Sequence, residues 1–393
     1  MIKFFYFDNS ATSSPKPQTV YESVDYTLKN LNTNPGRGGH QLGISCATAI
    51  YKVRKKIQKF FNVDNELNIA FTNNSTTALN FAIKGSLASN DVVITSNIEH
   101  NSVLRPLFTL KEEINLEVEV LPYKDFIENF ILRIENPSLK KPKLLILNHM
   151  SNVNGVSFDL EKIGLICNRH KIMFIVDGSQ SAGLIPIDMK AMNIDILCFT
   201  GHKSLFGIQG TGGICIQNGI FLKNIISGGT GSHSTMLSQP QEMPDLLEAG
   251  TLNAPGILAL GCGIDFIDSI GLTEIKSHEK FLKEEFIKGI KKINENSINS
   301  GNEARIILYT SFGENDGPII SLNIKGISSS DLSTYLDEEY NIITRSGLHC
   351  APLLHQELKT DLTGATRFSF GYFNTIDEIL YAIDALQKIV IQS

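Results

Sequence analysis

The sequence has no apolar run of the roughly 18 residues that a membrane-spanning helix needs, no basic excess, no cysteine framework, no internal repeat and no low-complexity linker. Each absence removes a class of function. Without a long apolar run, no membrane partner is expected. A formal net charge of −6 argues against a dominant nucleic-acid surface, which needs clustered lysine and arginine. The six cysteines (Cys46, Cys167, Cys198, Cys215, Cys262 and Cys350) follow no disulfide spacing, so reduced thiols in a cytoplasmic protein are expected. Cys167, Cys198, Cys215 and Cys262 lie in apolar segments and read as core residues. The opening Met1–Asp8 reaches an acidic residue too early for a secretory signal.

What remains is the composition of a globular enzyme. A chain of 393 residues, 42% hydrophobic and 19% charged, can bury a large core and is expected to divide into domains. Its middle alternates short apolar runs with helical patterns. Strands are expected at Asn68–Thr72, Asp91–Thr95, Leu116–Leu121, Lys143–Asn148, Lys171–Asp177, Asp195–Thr200 and Gly212–Ile216. Continuous apolar strands separated by helices imply an α/β fold, with a mostly parallel seven-stranded central sheet covered on both faces. The intervening helices include Ser45–Phe61, with Ile50, Val53, Ile57 and Phe60 at helical spacing, and Asp159–Arg169, with Leu160, Ile163 and Ile166.

After about residue 265 the pattern changes. A charged helix over Glu274–Asn294 leads into short strands near Arg305–Tyr309, Pro318–Ile324 and Thr366–Gly371. The last helix opens on a capping box, Thr375-Ile-Asp-Glu378, and carries Ile379, Ile383, Leu386 and Val390 on one face. The expected division is a large domain over 15–264 and a smaller α+β domain formed by 1–14 and 265–393. The glycine-rich Ser227–Ser232 reads as a loop near the site, not a boundary.

The chemistry is concentrated at strand ends. Cys198-Phe-Thr-Gly-His-Lys-Ser204 places Lys203 just past one apolar strand, and Asp177-Gly-Ser-Gln180 closes another, 26 residues earlier. A lysine and a carboxylate so placed can face one small ligand. Pyridoxal 5'-phosphate needs that pair: an amine to form a Schiff base, and an anion to keep the pyridine nitrogen protonated.

Other motifs have two readings each. Thr72-Asn-Asn-Ser-Thr-Thr77, between a strand and a helix, suits a phosphate or a simple N-cap. His100, after Glu99, suits stacking on a flat ring or capping a helix. Asn152, in Ser151-Asn152, suits a phenolate oxygen or an ordinary loop. The glycines of Gly207–Gly213 follow Lys203 and lead into a strand, the wrong order for a P-loop, so they read as a turn. His349, Cys350 and His355, without a fourth partner or a paired motif, do not make a metal site, and no metal is expected.

Together these segments resemble the class V aminotransferase group of fold type I enzymes, and within it the NifS-like cysteine desulfurases of the second group. The resemblance covers nearly the whole chain. It runs from Tyr6–Thr12 and Asn34–His40 through Asn74–Asn80, Glu99–Asn101, Ser151–Gly155, Val176–Gly183 and Thr200–Lys203. It ends at Glu248–Asn253, Arg345–Pro352 and Thr366–Thr375. It implies a pyridoxal-phosphate enzyme in which Lys203 carries the cofactor and moves the α-proton. Asp177 then pairs with the pyridine nitrogen, His100 stacks on the ring, and Gln180 and Asn152 bond around the phenolate oxygen or the substrate. Ser75, Thr76, Thr200 and His202 hold the phosphate, and Thr251 reaches the phosphate of a neighbouring subunit in a homodimer. Arg367 clamps the substrate carboxylate, with Arg37 and Arg345 at the entrance.

The resemblance further implies that L-cysteine becomes L-alanine while Cys350 takes the sulfur as a persulfide for an acceptor protein. A selenocysteine lyase or another C–S lyase is the alternative, as is a class V aminotransferase in which Cys350 is a bystander. A cofactor-binding scaffold that only activates a partner is disfavoured by the intact Lys203, Asp177 and Arg367 set. Three places depart from the family pattern: Gly36 and Leu348 stand where histidines are frequent, and the pair Asn74-Ser75 where Gly-Thr is commoner.

Overall fold

The computed structural model describes residues 4–35, 39–299, 301 and 306–392. They form two compact units, one of 16–149 with 158–269, the other of the N-terminal segment to residue 15 with 150–157 and 270–393.

The larger unit is built on a seven-stranded sheet. Its spatial order is Ile69–Thr72, Gly212–Ile216, Ile196–Thr200, Met173–Asp177, Leu144–Asn148, Val92–Ser96 and Glu117–Leu121. Only Gly212–Ile216 runs against its neighbours; the other pairings in the sheet are parallel. Every residue of the strands Leu144–Asn148 and Ile196–Thr200 is buried. Helices cover both faces of such strands, which is why they lack the alternation of a half-exposed sheet. The edge strand Glu117–Leu121 does alternate in charge, and Glu119 is held by Arg133 at 2.5 Å. Charged residues on an edge discourage pairing with another chain.

The helices follow their sequence signals closely. Gln41–Phe61 begins four residues earlier than periodicity suggests, because the His40 ring accepts the Gly43 N–H at 3.1 Å. It buries Ile50, Val53, Ile57 and Phe61, leaving Phe60 partly exposed. Asp159 caps Leu160–His170 by accepting from the Lys162 N–H at 3.1 Å. Among the described residues no single helix is long and apolar enough to cross a membrane.

The smaller unit holds a four-stranded antiparallel sheet ordered Arg345–Gly347, Ala365–Ser369, Ile319–Ile324, Ile306–Leu308. Phe5–Tyr6 pairs in parallel with Ile342–Ile343 beside it. Phe7, Phe286, Phe368 and Phe370 form the aromatic centre of its core. The expected capping box is present: Thr375 N–H donates to Glu378, and Glu378 N–H to the Thr375 hydroxyl. It starts Ile376–Gln392, which buries Ile379, Leu386 and Val390, whereas Ile383 is only partly buried. The strand Arg345–Gly347 has no propensity signal. It exists because it pairs with Ala365–Arg367, a tertiary effect that overrides local preference.

Candidate functional site

In the larger unit the parallel strands end on one edge of the sheet. Ligands of open α/β sheets gather at the carboxyl ends of strands, and the candidate residues are there. Asp177 ends its strand with 2% exposure. Its neighbour in register, Cys198, lies two residues before the strand end at Thr200, and Lys203 follows that strand. Gly183 has φ +92°, and a Cβ there would strike the backbone carbonyl of Ser204. The absent side chain therefore lets the segment after Asp177 pack directly on the segment carrying Lys203.

Three hydrogen bonds end on Asp177 Oδ1: Ser179 N–H at 2.9 Å, Ser179 O–H at 2.5 Å and Ser75 O–H at 3.3 Å. The resemblance puts Ser75 at a phosphate; its hydroxyl lies on the Asp177 carboxylate. Thr76, beside it, is exposed on the first turn of the helix Ser75–Ser86, which Asn74 caps. Thr200 is buried, with its hydroxyl 3.5 Å from the Thr211 carbonyl. Lys16 Nζ donates to the His202 carbonyl at 2.6 Å and so ties down the residue before Lys203. Burial pushes the Lys16 amine down to about 8. Burial, then the charges of Lys203 and Lys16, push His202 down to about 4.

His100 does cap a helix: its Nδ1 accepts the Ser102 N–H at 3.0 Å at the start of Asn101–Glu113. The cap fixes the ring without using its faces, so capping and stacking are compatible. Glu99, next to it, is fully buried and bonded to the Ser96 hydroxyl and the Asn148 N–H. Burial is the main reason its carboxyl is raised to about 8; the Asp177 charge adds to it. A folded pKa above the unfolded value means stability from this group is complete below about 4.5 and lost as pH rises through about 8. Glu99→Gln should therefore flatten the fall in stability between those limits, read from urea midpoints at a series of pH values. An unchanged slope would show that Glu99 does not titrate there.

Thr251 is exposed, with its hydroxyl 3.3 Å from Asn34 Nδ2. The segment before it is anchored deep in the unit. Glu248 takes both Arg54 Nη groups, at 2.9 and 3.0 Å, and accepts the Phe71 N–H at 2.7 Å. The glycine-rich loop lies against the same segment through Gly250 N–H to Gly229 O at 2.8 Å. Gln180 is buried in the turn after Asp177.

The smaller unit carries a second set. Arg345 and Arg367 stand opposite each other across paired strands. Like charges so placed repel. Arg367, 1% exposed, is compensated by Asp8 at 2.5 Å through Nη2 and gives Nη1 to the Asn152 carbonyl at 3.0 Å. Its Nε has no hydrogen-bond partner, nor does Asn152 Oδ1. The resemblance puts Asn152 near a cofactor oxygen. Its Nδ2 donates to the His349 carbonyl at 2.6 Å.

That carbonyl belongs to the turn presenting Cys350. His349 and Cys350 have φ of +49° and +58°, and Ala351 N–H closes the turn on Leu348 O at 2.9 Å. Two successive non-glycine residues in the left-handed region are strained, a feature that clusters at functional sites. Cys350 is half-buried, whereas Cys46, Cys167, Cys198 and Cys215 are buried, with burial pushing all four thiols up. Cys262, expected in the core, is also only half-buried, because its helix Ala254–Ile270 leaves that position off the buried face. Arg37 and Gly36 lie outside the described residues.

Asp8, Lys16, Glu99 and Ser179 are given no role of their own by the sequence. Asp8 lies in the quoted Tyr6–Thr12 segment, yet its partner is 359 residues away, and no local pattern signals that.

The model of the aminotransferase class-V family matches residues 5–381. The chain belongs to the class V aminotransferase family. A probable cysteine desulfurase of Borreliella burgdorferi is 32% identical over 98% of this chain and 91% of its own length. One from Pyrococcus abyssi is 30% identical over 98% and 94%. Among solved structures, the apo cysteine desulfurase of Thermococcus onnurineus NA1 superposes with a TM-score of 0.89 at 28% identity, covering 99% of this chain and 95% of that one. The architecture of this class V enzyme is that of fold type I, as the resemblance implied, on the mostly parallel sheet that the apolar strands implied.

Proposed function

We propose that this class V enzyme is a cysteine desulfurase that holds pyridoxal 5'-phosphate on Lys203, converts L-cysteine to L-alanine and receives the sulfur on Cys350. The observation that carries the reading is the placement of Lys203 and Asp177 at the ends of adjacent strands, on one edge of the sheet. The residues fit the cofactor. A buried carboxylate with its bonds gathered on Oδ1 leaves Oδ2 for a pyridinium N–H, and the His100 imidazole, fixed as a helix cap, suits stacking on the ring. When bound, pyridoxal phosphate supplies an electron sink that acidifies the substrate α-carbon and weakens its C–S bond.

The chain's own groups do the rest. Lys203 anchors the cofactor and carries the α-proton. Asp177 keeps a positive charge opposite it, braced by Ser75 and Ser179. Thr76, Thr200 and His202, with Ser75, serve the phosphate, and Gln180 the phenolate side. Arg367 recognises the α-carboxylate, with Arg345 and Arg37 at the substrate entrance. The unpartnered Arg367 Nε and Asn152 Oδ1 support this role, since buried polar atoms without partners are uncommon and a polar substrate satisfies them. Cys350 attacks the substrate sulfur as a thiolate. An S–S bond forms as the C–S bond breaks, its electron pair stays on carbon, and a proton there gives alanine. The exchange is redox-neutral and needs no added oxidant.

Exposed Thr251, on a segment anchored by the Arg54–Glu248 pair, suits contact with a second subunit in a twofold dimer. The persulfide implies a sulfur-acceptor protein. Purified protein given L-cysteine and a reductant, with sulfide and alanine measured together, tests the reading. Equal amounts of both support it, and turnover that requires a 2-oxo acid replaces it with an aminotransferase. A strong preference for L-selenocysteine replaces it with a selenocysteine lyase.

A further inference from the structure

Two buried histidines beside Cys350 have no role in the chemistry above. His349 is 3% exposed and His355 is fully buried. Their rings stack with centroids 5.6 Å apart and planes inclined by 25°. His349 Nε2 lies 3.2 Å from the Arg345 carbonyl, His349 Nδ1 lies 3.4 Å from His355 Nε2, and His355 Nδ1 lies 2.8 Å from the Thr360 hydroxyl. Thr360 is itself buried, at 2% exposure.

The direction of this chain follows from which atoms can donate. A carbonyl only accepts, so His349 Nε2 carries its proton. Burial and the charge of Arg367, with smaller contributions from His355 and Arg345, push His349 down to about 2 and keep it neutral. A neutral ring with Nε2–H accepts at Nδ1, so His355 donates from Nε2. Burial lowers His355 as well, against the nearby Asp361 charge. His355 Nδ1 then accepts from the Thr360 hydroxyl. Both nitrogens of His349 are thereby committed to Arg345 and His355, and neither is left to take a proton from the neighbouring thiol.

The same residue sits in the strained turn. With φ positive at both His349 and Cys350, the turn prefers glycine or asparagine, and it needs outside support to persist. That support comes from the ring chain on one side and from Asn152 Nδ2 on the His349 carbonyl on the other.

We propose that Thr360, His355 and His349 form a neutral hydrogen-bonded chain that holds the Cys350 turn in its left-handed conformation, making them positioning residues for the thiol and excluding His349 as its base. This rests on the desulfurase reading only for the meaning of Cys350, and its test does not need turnover.

The test is the rate of Cys350 alkylation by iodoacetamide, followed by mass spectrometry on cofactor-loaded protein, with kcat and KM for L-cysteine measured beside it. His355→Leu removes the donor to His349 and frees the turn. It should raise the alkylation rate about threefold or more and lower kcat about tenfold, with KM within about twofold. Thr360→Val should move the alkylation rate in the same direction by less. His355→Gln, whose amide N–H can replace the donor, should stay within about twofold of wild type. If His355→Leu does not fold, Thr360→Val carries the test alone. An unchanged alkylation rate in the folded variants, or a rise that His355→Gln shows equally, overturns the proposal. Failure of the desulfurase reading appears separately, as wild-type sulfide release by Cys350→Ala.

Discussion

Cys350→Ala is expected to bind the cofactor and the substrate normally, yet to lose sulfide release from L-cysteine by at least about 10²-fold, the scale on which removing a covalent nucleophile acts. The expectation comes from exposure and backbone. A nucleophilic thiol must be reachable and able to ionise, and burial disqualifies Cys46, Cys167, Cys198 and Cys215. Cys262 is half-exposed but belongs to the regular helix Ala254–Ile270. Cys350 alone among the six sits in a left-handed turn held from two sides. Cofactor absorbance should be unchanged in the variant, because nothing places Cys350 among the cofactor's supports. Activity on L-selenocysteine should fall less, since selenium leaves more readily and depends less on the attacking sulfur. A Cys350→Ala protein that desulfurates L-cysteine at the wild-type rate would remove the persulfide step and leave a general lyase.

Lys203→Ala should have the other large effect. It removes both the covalent anchor of the cofactor and the group that moves the α-proton. The general acid–base part alone is worth about 10²–10⁴-fold, and loss of the covalent link adds to it. Purified wild type should be yellow and keep its colour through gel filtration. The variant should lose the linkage seen after borohydride reduction and mass analysis. Stability should change little, because Lys203 is only partly buried. An unchanged covalent adduct in Lys203→Ala would move the anchor elsewhere, and half-buried Lys16, its amine pushed down by burial, would be the first lysine to examine.

Much of this is legible in the sequence alone. The inner strands of the main sheet carry largely apolar runs, and burial on both faces is what such runs mean, whereas the edge strand Glu117–Leu121 alternates. Lys203 and Asp177 were legible because each follows a run at a strand end, where an α/β sheet places its ligands. What was not legible has one physical cause: partners far apart in the chain. Asp8 neutralises Arg367 across 359 positions, and Asn152 holds the His349 carbonyl across 197. Ser75 turns toward Asp177 across 102, where the helix-start hydroxyl pattern suits a phosphate or an N-cap. Arg345–Gly347 became a strand only through its neighbour. The spacing of His349 and His355 makes no metal site and signals nothing else. Their ring-to-ring arrangement, with Thr360 behind it, depends on the turn at Leu348–Ala351, which no side-chain pattern announces.

The most direct test of the central claim is a single incubation of the cofactor-loaded protein with L-cysteine, without reductant, followed by peptide mass analysis and alanine determination. The account predicts one added sulfur atom on the peptide bearing Cys350 and one alanine per sulfur stored. Alanine formed with no sulfur on Cys350, or sulfur found on another cysteine, would contradict it.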